Sequence, residues 1–355
     1  MSAARSPFLL DRHARLIRNL EEQAGLNRAV EHLPTEADLE RRRQSGQGLT
    51  RPELAVLLAY SKNLVRAELQ AADLPDDPTP VVSAYFPRAV QERFGARIRR
   101  HPLLREIAAT QLASDLIDRA GPGFLYRLEE RTGAGTPEVA RAFAAVQAVF
   151  DLPWSAADGL PPAAEQAVLR DLQELTEHAA EELLHRGATG AAAARYRAPV
   201  EELAAASGDH ARTVARRTEL LAAGVPGDVA DRVAVLAALA PALVLADVAV
   251  DLGEPITAVA RHHESVADAL DLPWLLAQLA TEPADTHWVQ AAKAALREEV
   301  TEHWARFTRA AATGVAPAAP RFRAVVEELR AQRSVDIPML TVAVRELGRA
   351  GDRSC

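Results

Sequence analysis

The chain has 355 residues, of which 48% are hydrophobic, 25% charged and only 5% aromatic. That is enough polypeptide for a sizeable core, and its wealth of Ala and Leu favours helix-on-helix packing over sheet. A net charge of -8, with Arg41-Arg42-Arg43 as the only basic triplet, argues against nucleic-acid binding, which needs a concentrated positive face.

In chain order, the segment Met1–Phe8 has no apolar signal core and runs into the charged stretch Asp11-Arg12-His13-Ala14-Arg15, so a cytoplasmic location is expected. The single cysteine is Cys355, which leaves no internal disulfide and fits a reducing compartment. Arg41-Arg42-Arg43 reads as a solvated helix end beside Gly46 and Gly48. Thr50, followed three residues later by Glu53, forms a capping box, and Pro52 is tolerated in that first turn. The spacing of Leu54, Leu57, Leu58, Leu64, Val65 and Leu69 predicts a helix to about Ala72, stopped by Asp73-Leu74-Pro75-Asp76-Asp77-Pro78. Thr136-Pro137 is expected to open another helix in the same manner, with Val139, Phe143, Val146 and Phe150 inward.

The run Val233 to Val250 is apolar but interrupted by Pro241 and Asp247, which predicts a broken, buried helix pair rather than a membrane span. Gly133–Trp154 aligns without gaps with Gly253–Trp274, and nine of the twenty-two positions are identical, among them Asp151-Leu152-Pro153-Trp154 and Asp271-Leu272-Pro273-Trp274. Such duplication predicts two related helical units, each ended by a Pro stop and an anchoring Trp. Gly314–Pro320 reads as a linker. No stretch alternates apolar and polar residues between hairpin turns, so the expected fold is all-α, a multi-helix array with two related helical subdomains and little or no β-sheet. The expected divisions are 1–84, 85–154, 155–217, 218–280 and 281–355.

The search for chemistry finds few candidates. Gly133-Ala134-Gly135 approaches a dinucleotide loop, but Glu138 stands where the third glycine belongs and no strand precedes it. On one helix Glu174, Glu177, His178, Glu181, Glu182 and His185 recur at three- and four-residue spacing, and Glu182-x-x-His185 is the element that di-iron bundles use. Lacking a second copy, this reads as a solvated acidic face, and no metal site is expected. His262-His263 falls where the first repeat has Ala142 and Phe143, which suggests a structural histidine.

Three stretches carry a family resemblance: Gly48–Lys62 (GLTRPELAVLLAYSK), Tyr85-Phe86-Pro87-Arg88 through Arg119-Ala120-Gly121-Pro122, and Val335–Leu347 (VDIPMLTVAVREL). In this order they resemble the helical C-terminal region of the large NAD-specific glutamate dehydrogenases of bacteria. The resemblance implies a complete enzyme that oxidises L-glutamate to 2-oxoglutarate and ammonia with NAD, its catalytic and dinucleotide-binding residues lying upstream. None of those residues can be carried onto this sequence, whose only lysines are Lys62 and Lys293, so no catalytic, cofactor or metal residue is expected here. The implied role is structural, with the catalytic region of the same enzyme as partner and a possible homo-oligomer. Arg51, Glu53, Tyr60 and Lys62 are the candidate contacts with that region. Two other readings are a stand-alone helical interaction module and a metal protein built on the helix 174–185.

Overall fold

The computed structural model describes residues 7–72, 79–281, 287–315, 319–332 and 334–351. The fold is all-α: eighteen α-helices and no strand occur among the described residues. The expected helix stop at 73–78 lies outside them, as do Cys355 and part of the expected linker, 316–318. The chain divides into two compact units. Unit 1 comprises Met1–Arg197 and Ser207–Ala240, and unit 2 comprises Ala198–Ala206 and Pro241–Cys355. The divisions fall inside the segments 155–217 and 218–280.

Unit 1 contains α1 (Pro7–Ala24), α2 (Glu36–Gln44), α3 (Arg51–Ala71), α4 (Thr79–Tyr85), α5 (Arg88–Ile98), α6 (Leu104–Asp115), α7 (Phe124–Thr132), α8 (Thr136–Phe150) and α9 (Pro162–His185). After α10 (Arg197–Ala206), most of which belongs to unit 2, it continues with α11 (Ala211–Ala222) and α12 (Gly227–Ala234). Leu10, Ile17 and Leu20 of α1 meet Leu39 of α2 and Leu57 of α3 in one core. Each such buried side chain contributes about 1.5–3 kcal/mol by leaving water. Phe124 of α7 packs edge-on against Phe143 of α8 at a centroid distance of 6.0 Å, the favoured geometry for two aromatic quadrupoles.

Helix starts follow from side-chain chemistry. The Thr35 and Thr50 hydroxyls accept from the backbone N–H of Asp38 and Glu53, whose carboxylates accept in return from the cap N–H groups. At α8 the cap differs from the expectation. Gly135, not Thr136, is the cap residue, and its N–H donates to the Glu138 carboxylate at 2.7 Å. Thr136 is already helical, so its hydroxyl is turned away and donates to Glu129 Oε1 at 2.7 Å. Gly133-Ala134-Gly135 therefore ends one helix in the left-handed conformation (φ 70° at Gly133) and starts the next.

Unit 2 contains α13 (Ala242–Leu252), α14 (Ile256–Leu270), α15 (Leu272–Thr281), α16 (His287–Ala312), α17 (Pro320–Arg330) and α18 (Ile337–Gly351). Its core joins Val266 and Leu270 of α14, Trp304 and Phe307 of α16, Phe322 of α17 and Leu340 and Leu347 of α18. Almost all of α13 is buried, including Leu243, Leu245 and Val248. Among the described residues no single helix is long and apolar enough to cross a membrane.

The sequence repeat is a structural one at the level of the helix. Helices α8 and α14 have fifteen residues each, are preceded by a left-handed glycine (Gly133, Gly253) and end at a left-handed aspartate (Asp151, φ 45°; Asp271, φ 55°). Val139 and Val146 are buried in the first, Val259 and Val266 in the second, and His263 is buried where Phe143 is. The His263 ring stacks on Trp304 with centroids 3.8 Å apart, its Nδ1 lies 2.9 Å from Thr308 Oγ1, and Trp304 Nε1 donates to the His263 carbonyl at 2.8 Å.

Candidate contact site on the signature helix

Helix α3 presents the four candidate contact residues, and the polar groups of three of them turn toward other segments of unit 1. Arg42, at the end of α2, binds the Glu53 carboxylate through both Nη atoms at 2.8 Å, and the same carboxylate accepts from the Thr50 N–H at 2.6 Å. Burial resists the charge on Glu53, yet these hydrogen bonds hold its carboxyl below the usual range. Tyr60 donates its hydroxyl to Glu31 Oε1 at 2.8 Å. Lys62 Nζ lies 2.7 and 2.8 Å from the two Asp118 oxygens. Arg51 is exposed and makes no ion pair among the described residues.

Asp118 lies on a π-helical turn, Leu116–Ala120, that continues α6 and ends at Gly121 with φ 89°. A side chain is strained in that backbone conformation, so glycine fits the Gly121 position. The wider turn buries Leu116, Ile117 and Ala120 while leaving Asp118 exposed to meet Lys62. Two of the family-like stretches, Gly48–Lys62 and the one running from Tyr85 through Pro122, are thereby tied together. Sequence reasoning missed Asp118, because a partner 56 residues away leaves no trace in periodicity. Near this tie Leu16, Ser61, Leu64, Pro122, Leu125 and Tyr126 line a small cleft.

The acidic stretch of α9 is engaged by arginines. Glu177 accepts from Arg127 Nε at 3.1 Å and Nη2, and from Arg131 Nη2 at 2.7 Å. Burial opposes its ionisation, but the Arg127 hydrogen bond and the charges of Arg127, Arg131 and Arg12 prevail and hold the carboxyl below its ordinary value. Glu181, 3.3 Å from Arg131 Nε, is pushed upward by burial. Glu182 pairs with Arg186 at 2.5 Å, and His178 Nε2 lies 3.1 Å from the Ala240 carbonyl. Among the described residues no three His, Cys, Asp or Glu side chains converge as metal ligands. Lys293 donates to the Ala280 carbonyl at 3.3 Å.

These polar groups fasten helices to one another, and the class they define is an all-α helical array. Residues 46–349 match the family described as "Glutamate dehydrogenase, C-terminal", and the chain belongs to that family. It is 34% identical over 370 residues to the NAD-specific glutamate dehydrogenase of Pseudomonas aeruginosa, covering 94% of this chain and 23% of that enzyme. The NAD-specific glutamate dehydrogenases of Halomonas elongata (31%, 94% and 23%) and Mycobacterium tuberculosis (31%, 98% and 24%) are similar in the same way. The chain thus spans about a quarter of the length of these curated relatives and corresponds to their C-terminal region.

Proposed function

We propose that this chain is the C-terminal structural part of a cytoplasmic NAD-specific glutamate dehydrogenase whose complete form oxidises L-glutamate to 2-oxoglutarate and ammonia while reducing NAD. The observation that carries this reading is the extent of the match: nearly all of this chain aligns with a quarter of each relative. In this reading NAD and glutamate bind on the remainder of the enzyme. The helical units brace that catalytic region and take part in a homo-oligomer. Arg51 and the exposed edges of Glu53, Tyr60 and Lys62 are the proposed contacts with the catalytic region. Glu53, Tyr60 and Lys62 are also held in place by Arg42, Glu31 and Asp118, which supports a rigid surface there.

The test is NAD reduction with L-glutamate by this chain alone, by the remaining polypeptide of the dehydrogenase alone, and by the two mixed. Activity restored or raised only in the mixture is the expected result. Turnover by this chain alone, or the absence of both complex and rescue, overturns the reading, the second in favour of a stand-alone interaction module.

A further inference from the structure

We propose that the cleft between α1, α3 and α7 is an internal hydration site, where one ordered water joins the Ser61 hydroxyl of the signature helix to the side-chain amide of Asn19 on α1. The site goes beyond the role proposed above and does not depend on it.

Ser61 is 4% exposed, and its Oγ has no hydrogen-bond partner among the described residues. Other hydroxyls inside helices find one locally. Thr110, Thr132, Thr176 and Thr308 donate to the carbonyl four residues back, at 2.6 to 2.8 Å, the usual resort of a helical hydroxyl. Thr213 is also buried and unpartnered, but it is the third residue of α11, so the residue four back precedes its helix. Ser61 has no such reason. It is the eleventh residue of α3, where Leu57 stands four back in the same helix, and its hydroxyl is turned away from that carbonyl.

A buried hydroxyl left unpaired costs the free energy of stripping it of water, so nearly all are paired, with protein or with ordered water. Around Ser61 the protein offers little. Leu16, Leu20 and Leu125 line the cleft, and Pro122 borders it without an N–H to give. Asn19, half-buried on the α1 side, makes no side-chain hydrogen bond among the described residues either. The space is about that of one water molecule, and a buried water needs two or more polar partners. Ser61 and Asn19 supply them, one from each helix. Size excludes a larger ligand, and among the described residues no charged side chain lines the cleft to hold an ion. The water is a polar tie between α1 and the signature helix, one residue from the pair of Lys62 and Asp118.

The test joins a high-resolution crystal structure of the full chain with magnetic relaxation dispersion of labelled water, which counts long-lived internal waters in solution. Expected are ordered density within hydrogen-bond reach of both Ser61 Oγ and the Asn19 amide, and one fewer long-lived water in Ser61→Ala. Asn19→Ala, which leaves the hydroxyl in place, should lose the same water, and circular dichroism should show unchanged helix content in both variants. A cleft without density, a Ser61 hydroxyl that donates to the Leu57 carbonyl, or dispersion that neither variant alters overturns the site.

Discussion

Arg42 and Glu53 are joined by two hydrogen bonds of 2.8 Å across the loop between α2 and α3, and the carboxylate that receives them also caps α3. One side chain thus fixes both the start of the signature helix and the approach of the helix before it. Glu53→Ala removes the carboxylate half of the capping box and leaves the half-buried Arg42 guanidinium only the Gly48 carbonyl at 3.4 Å, a loss expected to cost about 2–4 kcal/mol. Urea unfolding monitored by circular dichroism measures it, and Glu53→Gln should fall between the two.

Glu177 predicts an acid limb in the stability profile. Its folded carboxyl lies below the ordinary value, so its contribution is present above the unfolded value of about 4.3 and is lost as pH falls through the depressed folded value. Glu177→Gln should lower stability at neutral pH and flatten that limb. Glu181, raised by burial, acts with the opposite sign: its contribution is present below the unfolded value and lost as pH rises through the folded one. Denaturant midpoints between acid and neutral pH for the two single Gln variants check both directions.

Helices α16 and α18 approach closely where a Cβ on Gly348 would stand 2.7 Å from His303 Nε2 and 3.0 Å from Cε1. Gly348→Ala is expected to force the imidazole aside and cost about 1–3 kcal/mol, against the small gain in helix propensity. A rise in melting temperature would refute that close approach.

The two left-handed aspartates should respond differently to glycine. A side chain at this conformation costs about 1 kcal/mol that glycine avoids, so Asp151→Gly should stabilise. Asp271 also pairs with Arg330, and Asp271→Gly forfeits that contact, leaving a smaller gain. Paired unfolding curves decide the order.

Thr308 donates to the Trp304 carbonyl at 2.8 Å and sits against His263 Nδ1. Thr308→Val keeps the shape and removes the hydroxyl, which should cost about 1–3 kcal/mol by leaving a buried ring nitrogen without it.

Where local chemistry decides the outcome, the sequence was readable. Thr50 and Glu53 announce their helix because the cap is completed within four residues, and the stripe Val139, Phe143, Val146 and Phe150 is buried as its spacing requires. At Thr136 the reading slipped by one residue, because Gly135 can supply an N–H to Glu138 with no side chain of its own. The candidate positions Glu53, Tyr60 and Lys62 were visible as polar residues on a helix. Their partners Arg42, Glu31 and Asp118 were not, since periodicity tells which face a residue occupies and not which distant segment meets it.

The tetrapeptide shared by the two repeat helices takes two courses. Asp151 and Asp271 both halt their helices, but Leu152-Pro153-Trp154 leads into a short 3₁₀ turn, with the Trp154 indole donating back to Gln147 at 2.5 Å, whereas Leu272-Pro273-Trp274 begins α15, where Arg330 lies over the Trp274 ring. Four identical residues carry the instruction to stop and none for what comes next. A duplicated segment of this kind can keep its punctuation through divergence while the sentence after it is rewritten by whichever helices it lands among.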